Sequence, residues 1–190
     1  MEAEISVGMR RREAEAKCPT VVTFVADPGA EASRFEPVAL VLENLIPRIE
    51  VVMPGLVFAP IDGALGYYGG EVPLVERVEK ELDDVTGGGF RVGVGAGSFA
   101  ARRAADRATI EAPVYRVEDD GAFLSSLDIG VLGREEMAAT FRWLGITTLG
   151  ELSRLPRAAI VSRFGAEGLA AHQLARGEDR FSHPRPLPPD

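Results

Sequence analysis

Glu50-Val51-Val52-Met53-Pro54-Gly55-Leu56-Val57-Phe58-Ala59-Pro60-Ile61-Asp62-Gly63-Ala64-Leu65-Gly66-Tyr67-Tyr68 is the stretch on which the fold turns. The β-branched and aromatic runs Glu50-Val51-Val52, Leu56 to Ala59 and Leu65 to Tyr68 read as strands. Asp62-Gly63 between two such runs predicts a tight hairpin, because a type I′ turn needs φ > 0 at both central residues. A carboxylate at a hairpin tip is also a candidate metal ligand, so Asp62 has two readings, turn residue or ligand. Gly63 has no side chain and adds no ligand in either.

On the N-terminal side, residues 8–18 read as a short helix ended by Pro19, and Val21 to Val25 as a short strand. Asp27-Pro28 starts a helix of about 18 residues that carries Phe35, Val38, Leu42 and Leu45 on one face and stops at Pro47. On the C-terminal side, Val72 to Leu82 is an amphipathic helix with a heavily charged face, and Gly87-Gly88-Gly89 is a turn. A buried strand from Phe90 to Ala96 leads into an alanine- and arginine-rich helix from Ser98 to Ala108, and Val114 to Val117 is a last strand. The Gly-x-Gly-x-Gly of residues 93–97 invites a nucleotide-loop reading, but no Gly-Lys-Ser/Thr follows it. Small residues there fit close packing of the helix on the sheet. The remainder is helical: 122–127, 135–144, 149–155, 157–164 and 168–175. Gly145 suits a position just past a helix end, Thr148 caps the next helix, and Pro156 stops it. Four prolines in residues 184–190 read as an extended linker.

The composition limits the function. A chain of 190 residues with 46% hydrophobic residues is long and apolar enough for a packed core. No apolar run approaches the roughly 18 to 20 residues of a membrane span, and the first residues lack a signal-peptide pattern. Cys18 is the single cysteine, which rules out an internal disulfide and a Cys-based zinc cluster, and His172 and His183 lack ligand-like neighbours. The expectation is a soluble cytoplasmic protein. The net charge of −8 lies entirely within residues 1–120, so strong autonomous nucleic-acid binding is not expected.

Over nearly its whole length the chain resembles the Y-family (UmuC-like) translesion DNA polymerases. The matching stretches are Val7-Gly8-Met9 with Glu13-Ala14 and Pro19, Pro60 to Ala64, Gly93-Val94 through Ala104-Ala105-Asp106, Phe123-Leu124 with Leu127-Asp128, and Leu144 to Leu152 with Leu155-Pro156. The resemblance implies an α+β fold: a ferredoxin-like polymerase palm lacking its first strand, followed by a small all-helical thumb. Residues 1–28 would be the end of the fingers, 29–118 the palm, 119–182 the thumb and 183–190 a linker toward a little-finger domain. The family's first catalytic Asp and its triphosphate-gripping Tyr and Arg would precede Met1, leaving sheet edges that seek a partner strand.

The departures from the family carry the functional expectation. Gly63 stands where the resemblance places a catalytic Glu, Pro60 where it places a Ser, and Thr109 where it places a Lys reaching the incoming triphosphate. Gly97-Ser98 replaces an Asn-Lys pair, and Gly130-Val131-Leu132-Gly133 does not keep the spacing of a phosphate-gripping thumb hairpin. Two Mg²⁺ ions need several carboxylates, and the vestigial Asp62 cannot hold them alone. Together with Tyr67-Tyr68-Gly69-Gly70-Glu71 and Pro186 to Asp190, this pattern resembles the catalytically degenerate ImuB type. That likeness implies a scaffold without a cofactor, which joins an error-prone replicative-type polymerase, a RecA-like accessory protein and the sliding clamp during the SOS response. The alternative is an active translesion polymerase using Mg²⁺ at Asp62. Weak DNA contact is expected through Arg102, Arg103, Arg134 and Arg142.

Overall fold

The computed structural model describes residues 5, 6 and 8–179. The expected linker at 183–190, the last residues assigned to the thumb, Val7 and His183 lie outside the described residues. The chain divides into two compact units, Met1–Arg34 and Phe35–Asp190. The first holds helix α1 (Arg11–Lys17) and the opening of α2 (Pro28–Leu45). Asp27 caps α2, its Oδ1 accepting from the Ala30 N–H at 3.0 Å. The expected strand at 21–25 is instead an irregular segment, with Phe24 and Val25 almost fully exposed. Strand propensity has no effect there because no strand among the described residues takes up its backbone groups.

In the second unit, β1 (Glu50–Met53) and β2 (Leu56–Phe58) form an antiparallel hairpin. Two helices follow, α3 (Asp62–Tyr68) and α4 (Glu71–Thr86). Then β3 (Val92–Val94), α5 (Ser98–Arg107) and β4 (Val114–Arg116) make a βαβ unit whose strands pair in parallel. The described strands therefore form two separate pairs, not one continuous sheet. Leu42, Ile46, Ala64, Leu74, Val78 and Leu82 form the core beneath both, with Val57, Phe90 and Val92 packed against it.

The helical part runs α6 (Asp120–Ser125), a 3₁₀ turn (Ile129–Leu132), α7 (Glu135–Trp143), α8 (Leu149–Ser153) and α9 (Arg157–Ala175). Helix α9 bends at Gly165, whose φ of 61° breaks it where the sequence predicts two helices. Thr148 caps α8 as expected, in a reciprocal box with Glu151. The core of this part contains Leu124, Ile129, Phe141, Leu149, Leu152 and Ile160, and also Ala100 of α5. Helix α5 thus belongs to both halves of the unit. This mixed architecture is the α+β palm and helical thumb that the sequence predicts.

Candidate functional site

The hairpin that matters lies one strand earlier than the sequence reading places it. Its strands pair Glu50 with Phe58, Val51 with Val57 and Met53 with Leu56, and its tip is Pro54-Gly55, with Gly55 at φ 91°. Pro followed by a positive-φ Gly is the pattern of a type II turn. No carboxylate stands at this tip; the hairpin's one acid, Glu50, is at the opposite end.

Asp62-Gly63 is not a turn but the start of α3. Gly63 is absent from the positive-φ glycines, so the type I′ expectation fails. The reason is visible in the spacing: Ile61, Ala64, Leu65 and Tyr68 recur at helical intervals, with Ala64 in the core and the other three packed against it. Pro60 separates this segment from β2, and Gly69, in the left-handed region at φ 80°, ends it. Asp62 occupies the first turn, where the helix dipole favours a negative charge. The Met-Pro-Gly-Leu at 53–56 between two apolar runs was the signal that could have located the true tip.

Two Mg²⁺ ions do not fit the donor set found here. A two-metal site needs several converging carboxylates, and among the described residues no three His, Cys, Asp or Glu side chains converge.

The glycine segment at 93–97 has a different role from phosphate binding. A Cβ on Gly93 would sit 1.9 Å from the Ala101 carbonyl oxygen and 2.3 Å from the Ala105 nitrogen, so α5 lies directly on β3 there. The backbone donors at the start of α5 are already occupied by the chain's own carboxylates. Ala96 N–H donates to Asp120 Oδ1 at 3.1 Å and Gly97 N–H to Asp120 Oδ2 at 2.7 Å. Phe99 N–H and the Ser98 hydroxyl donate to Asp179 Oδ2 at 2.6 and 3.0 Å. A helix N-terminus attracts anions, and here the anions are internal, Asp120 from α6 and Asp179 from beyond α9. The nucleotide-loop reading is overturned on this geometry.

The glycines of the thumb turn are consumed in the same way. Gly130 N–H donates to Asp128 Oδ1 at 2.7 Å, and the Val131 and Gly133 N–H groups to the carbonyls of Asp128 and Gly130. The Gly130 N–H, then Arg142, hold the Asp128 carboxyl below its usual range. Thr109 closes a local turn, its hydroxyl accepting from the Ala112 N–H at 3.1 Å.

Three of the four arginines expected to meet DNA have partners within the protein, although Arg142 stays exposed. Arg103 is largely buried, lies over the Phe99 ring and pairs with Asp106 at 3.1 Å. Arg142 pairs with Asp128, and Arg134 donates to the Glu167 carbonyl at 3.1 Å. Among the described residues, Arg102 alone of the four is exposed without such a partner.

A hairpin and a βαβ unit on one core, joined through a shared helix to a small helical domain, make the palm-and-thumb architecture of the Y-family class. Residues 1–106 match the model of the impB/mucB/samB family. The chain is 28% identical over 165 residues to DNA polymerase IV of Methanoculleus marisnigri, covering 85% of this chain and 46% of that protein. It is 25% identical over 178 residues to DNA polymerase IV of Moorella thermoacetica, covering 92% and 44%. Among solved structures, DinB from Sulfolobus solfataricus superposes with a TM-score of 0.76 at 19% identity, over 96% of this chain and 54% of that one. The insertion ternary complex of Dbh DNA polymerase gives 0.76 at 18%, with the same coverage. The chain belongs to the impB/mucB/samB family, that of the Y-family DNA polymerases of DNA repair and translesion synthesis. It spans about half the length of the curated relatives it matches.

Proposed function

We propose that this chain is the palm and thumb of a non-catalytic Y-family-like scaffold, of the ImuB type, acting in the cytoplasm in damage-induced mutagenic repair. The observation that carries this reading is the palm hairpin, whose Pro54-Gly55 tip has no carboxylate where nucleotidyl transfer needs paired acids to hold metal ions. The occupied backbone donors at residues 96–99 and 130–133 support it, because groups that would grip phosphates are bonded to Asp120, Asp179 and Asp128. No helix among the described residues is long and apolar enough to cross a membrane, consistent with that location. In the full-length protein the scaffold would join an error-prone replicative-type polymerase, a RecA-like accessory protein and the sliding clamp. DNA contact would be weak and salt-sensitive, centred on Arg102.

One observation favours a second reading, an active Mg²⁺-dependent translesion polymerase: the curated relatives are named DNA polymerase IV. Primer extension by the full-length protein with Mg²⁺ or Mn²⁺ separates the two. The scaffold reading expects no extension above a no-protein control. Extension that Asp62→Ala abolishes would overturn it.

A further inference from the structure

A groove of about 400 Å³ opens on the palm, away from the hairpin tip, between the C-terminal half of α4 and the segments that lead into β3 and β4. One wall is Glu76, Glu79, Lys80 and Asp83 of α4, and the other is Phe90, Ile110 and Pro113. Gly88 and Gly89 floor the gap without side chains to fill it. Ile110 is 76% exposed, so this wall of the groove offers apolar surface beside the α4 acids.

The α4 wall carries three acids and a single base, Lys80. Residues 76, 79, 80 and 83 recur at helical spacing and share a face. The helix's two cations are held by neighbours further round: Arg77 pairs with Glu81 at 2.7 Å and Lys80 with Asp84 at 2.6 Å. Glu76, Glu79 and Asp83 are left with no cationic partner among the described residues. The last turn of α4 carries no base, so Asp83 stands at the negative end of the helix dipole, where a carboxylate is unfavourable. Anions placed against each other and against the dipole weaken an isolated helix. A cation seated along the groove would relieve both repulsions while its aliphatic stem covers Ile110 and Phe90.

We propose that this groove docks an amphipathic, lysine- or arginine-bearing helical segment of a partner protein. Glu76 to Asp83 spans roughly 10 Å at 1.5 Å per residue, which matches two turns of such a helix with cations on one side and an apolar residue toward Ile110. The inference stands independently of whether the hairpin is catalytic, since none of these residues belongs to the hairpin or to the junction at α5.

The test uses a fluorescein-labelled amphipathic peptide of about 14 leucines and lysines at helical spacing, measured by anisotropy against the whole chain at physiological salt. Glu76→Gln/Glu79→Gln/Asp83→Asn and, separately, Ile110→Ser are each expected to weaken binding about tenfold. A peptide of the same composition scrambled to remove its apolar face is expected to bind about tenfold more weakly. Both sets of positions are at the surface, and thermal melts confirm folding; should the triple variant not fold, Glu79→Gln and Ile110→Ser carry the test. Unchanged affinity in the variants, or equal binding of the scrambled peptide, would overturn the proposal. Displacement of the peptide by equimolar spermidine would make this a small-cation site, and self-association of the wild type that the triple variant abolishes would assign the groove to a second copy. Either result would also overturn it.

Discussion

The hairpin tip at Pro54-Gly55 and the junction where α5 meets α6 and the end of α9 belong to the same compact unit, yet they are built on opposite principles. All four residues of β1 are exposed, the tip holds no functional group, and a Cβ at Gly55 would meet nothing. At the junction a Cβ at Gly93 or Gly97 would fall within 2.4 Å of a neighbour, Ala100 and Ala104 are fully buried, and Asp120 and Asp179 tie residues 96–99 to the thumb. The difference teaches that the fold depends on how the palm helix is clasped between strand and thumb. The hairpin tip is structurally undemanding, so the residues there can vary without loss of the fold.

The sharpest way to break this comparison is Gly93→Ala. The added methyl would overlap the backbone of α5, which cannot move without leaving β3 or the thumb core, so a loss of about 3 kcal/mol or more is expected in denaturant melts. Stability within a few tenths of the wild type would show that the close approach does not matter.

Asp120→Ala comes next. It leaves the Ala96 and Gly97 N–H groups without their acceptor at a position only 8% exposed, and about 2–3 kcal/mol should be lost. Hydrogen exchange should rise at residues 96–99 and at the start of α6 and leave β1 and β2 unchanged. Uniform loss of protection across the hairpin as well would contradict the proposed division.

Gly63→Ala is smaller and opposite in sign. Within α3, with open space around the new methyl, alanine should stabilise by about 0.5–1 kcal/mol. In the type I′ turn that the sequence suggests, the same change would destabilise, so the sign of the shift in Tm decides between helix and turn.

The smallest effect is a pH dependence in the thumb. Glu151 accepts from the Thr147 N–H at 2.7 Å, the Thr148 N–H at 3.0 Å and the Thr147 hydroxyl at 3.1 Å, and these hold its carboxyl below the ordinary range. A depressed folded value means that the stabilisation is present above the unfolded carboxylate value, about 4.3, and is lost as pH falls through the folded one. Glu151→Gln should therefore be less stable than the wild type at neutral pH, and the gap should close as pH falls below about 4.3. A gap that stays constant down to pH 2 would mean that the charge is not what the box uses.

The parts of the fold that the sequence makes legible are those set by local chemistry. The long helix begins at Asp27-Pro28, Thr148 caps its helix as expected, and the small residues at 93–97 predict close packing. The site was harder to read. Two turn signals, Pro54-Gly55 and Asp62-Gly63, lie eight residues apart, and both are locally acceptable; the choice depends on which flank is buried. Ala64, Leu65 and Tyr68 are drawn onto the core by helical spacing, and that burial converts the second signal into a helix start. Likewise, nothing local in Asp120 or Asp179 distinguishes them from the surface acids around them.

By itself, then, the amino-acid sequence determined the α+β class, most element types and the family resemblance, because periodicity, caps and glycine placement act over a few residues. Only the tertiary structure decided which hairpin tip is real, which arginines are free, and that the donors at the start of α5 belong to Asp120 and Asp179. Those outcomes depend on contacts up to 81 residues apart, such as Ser98 with Asp179, and on burial that no window of sequence contains.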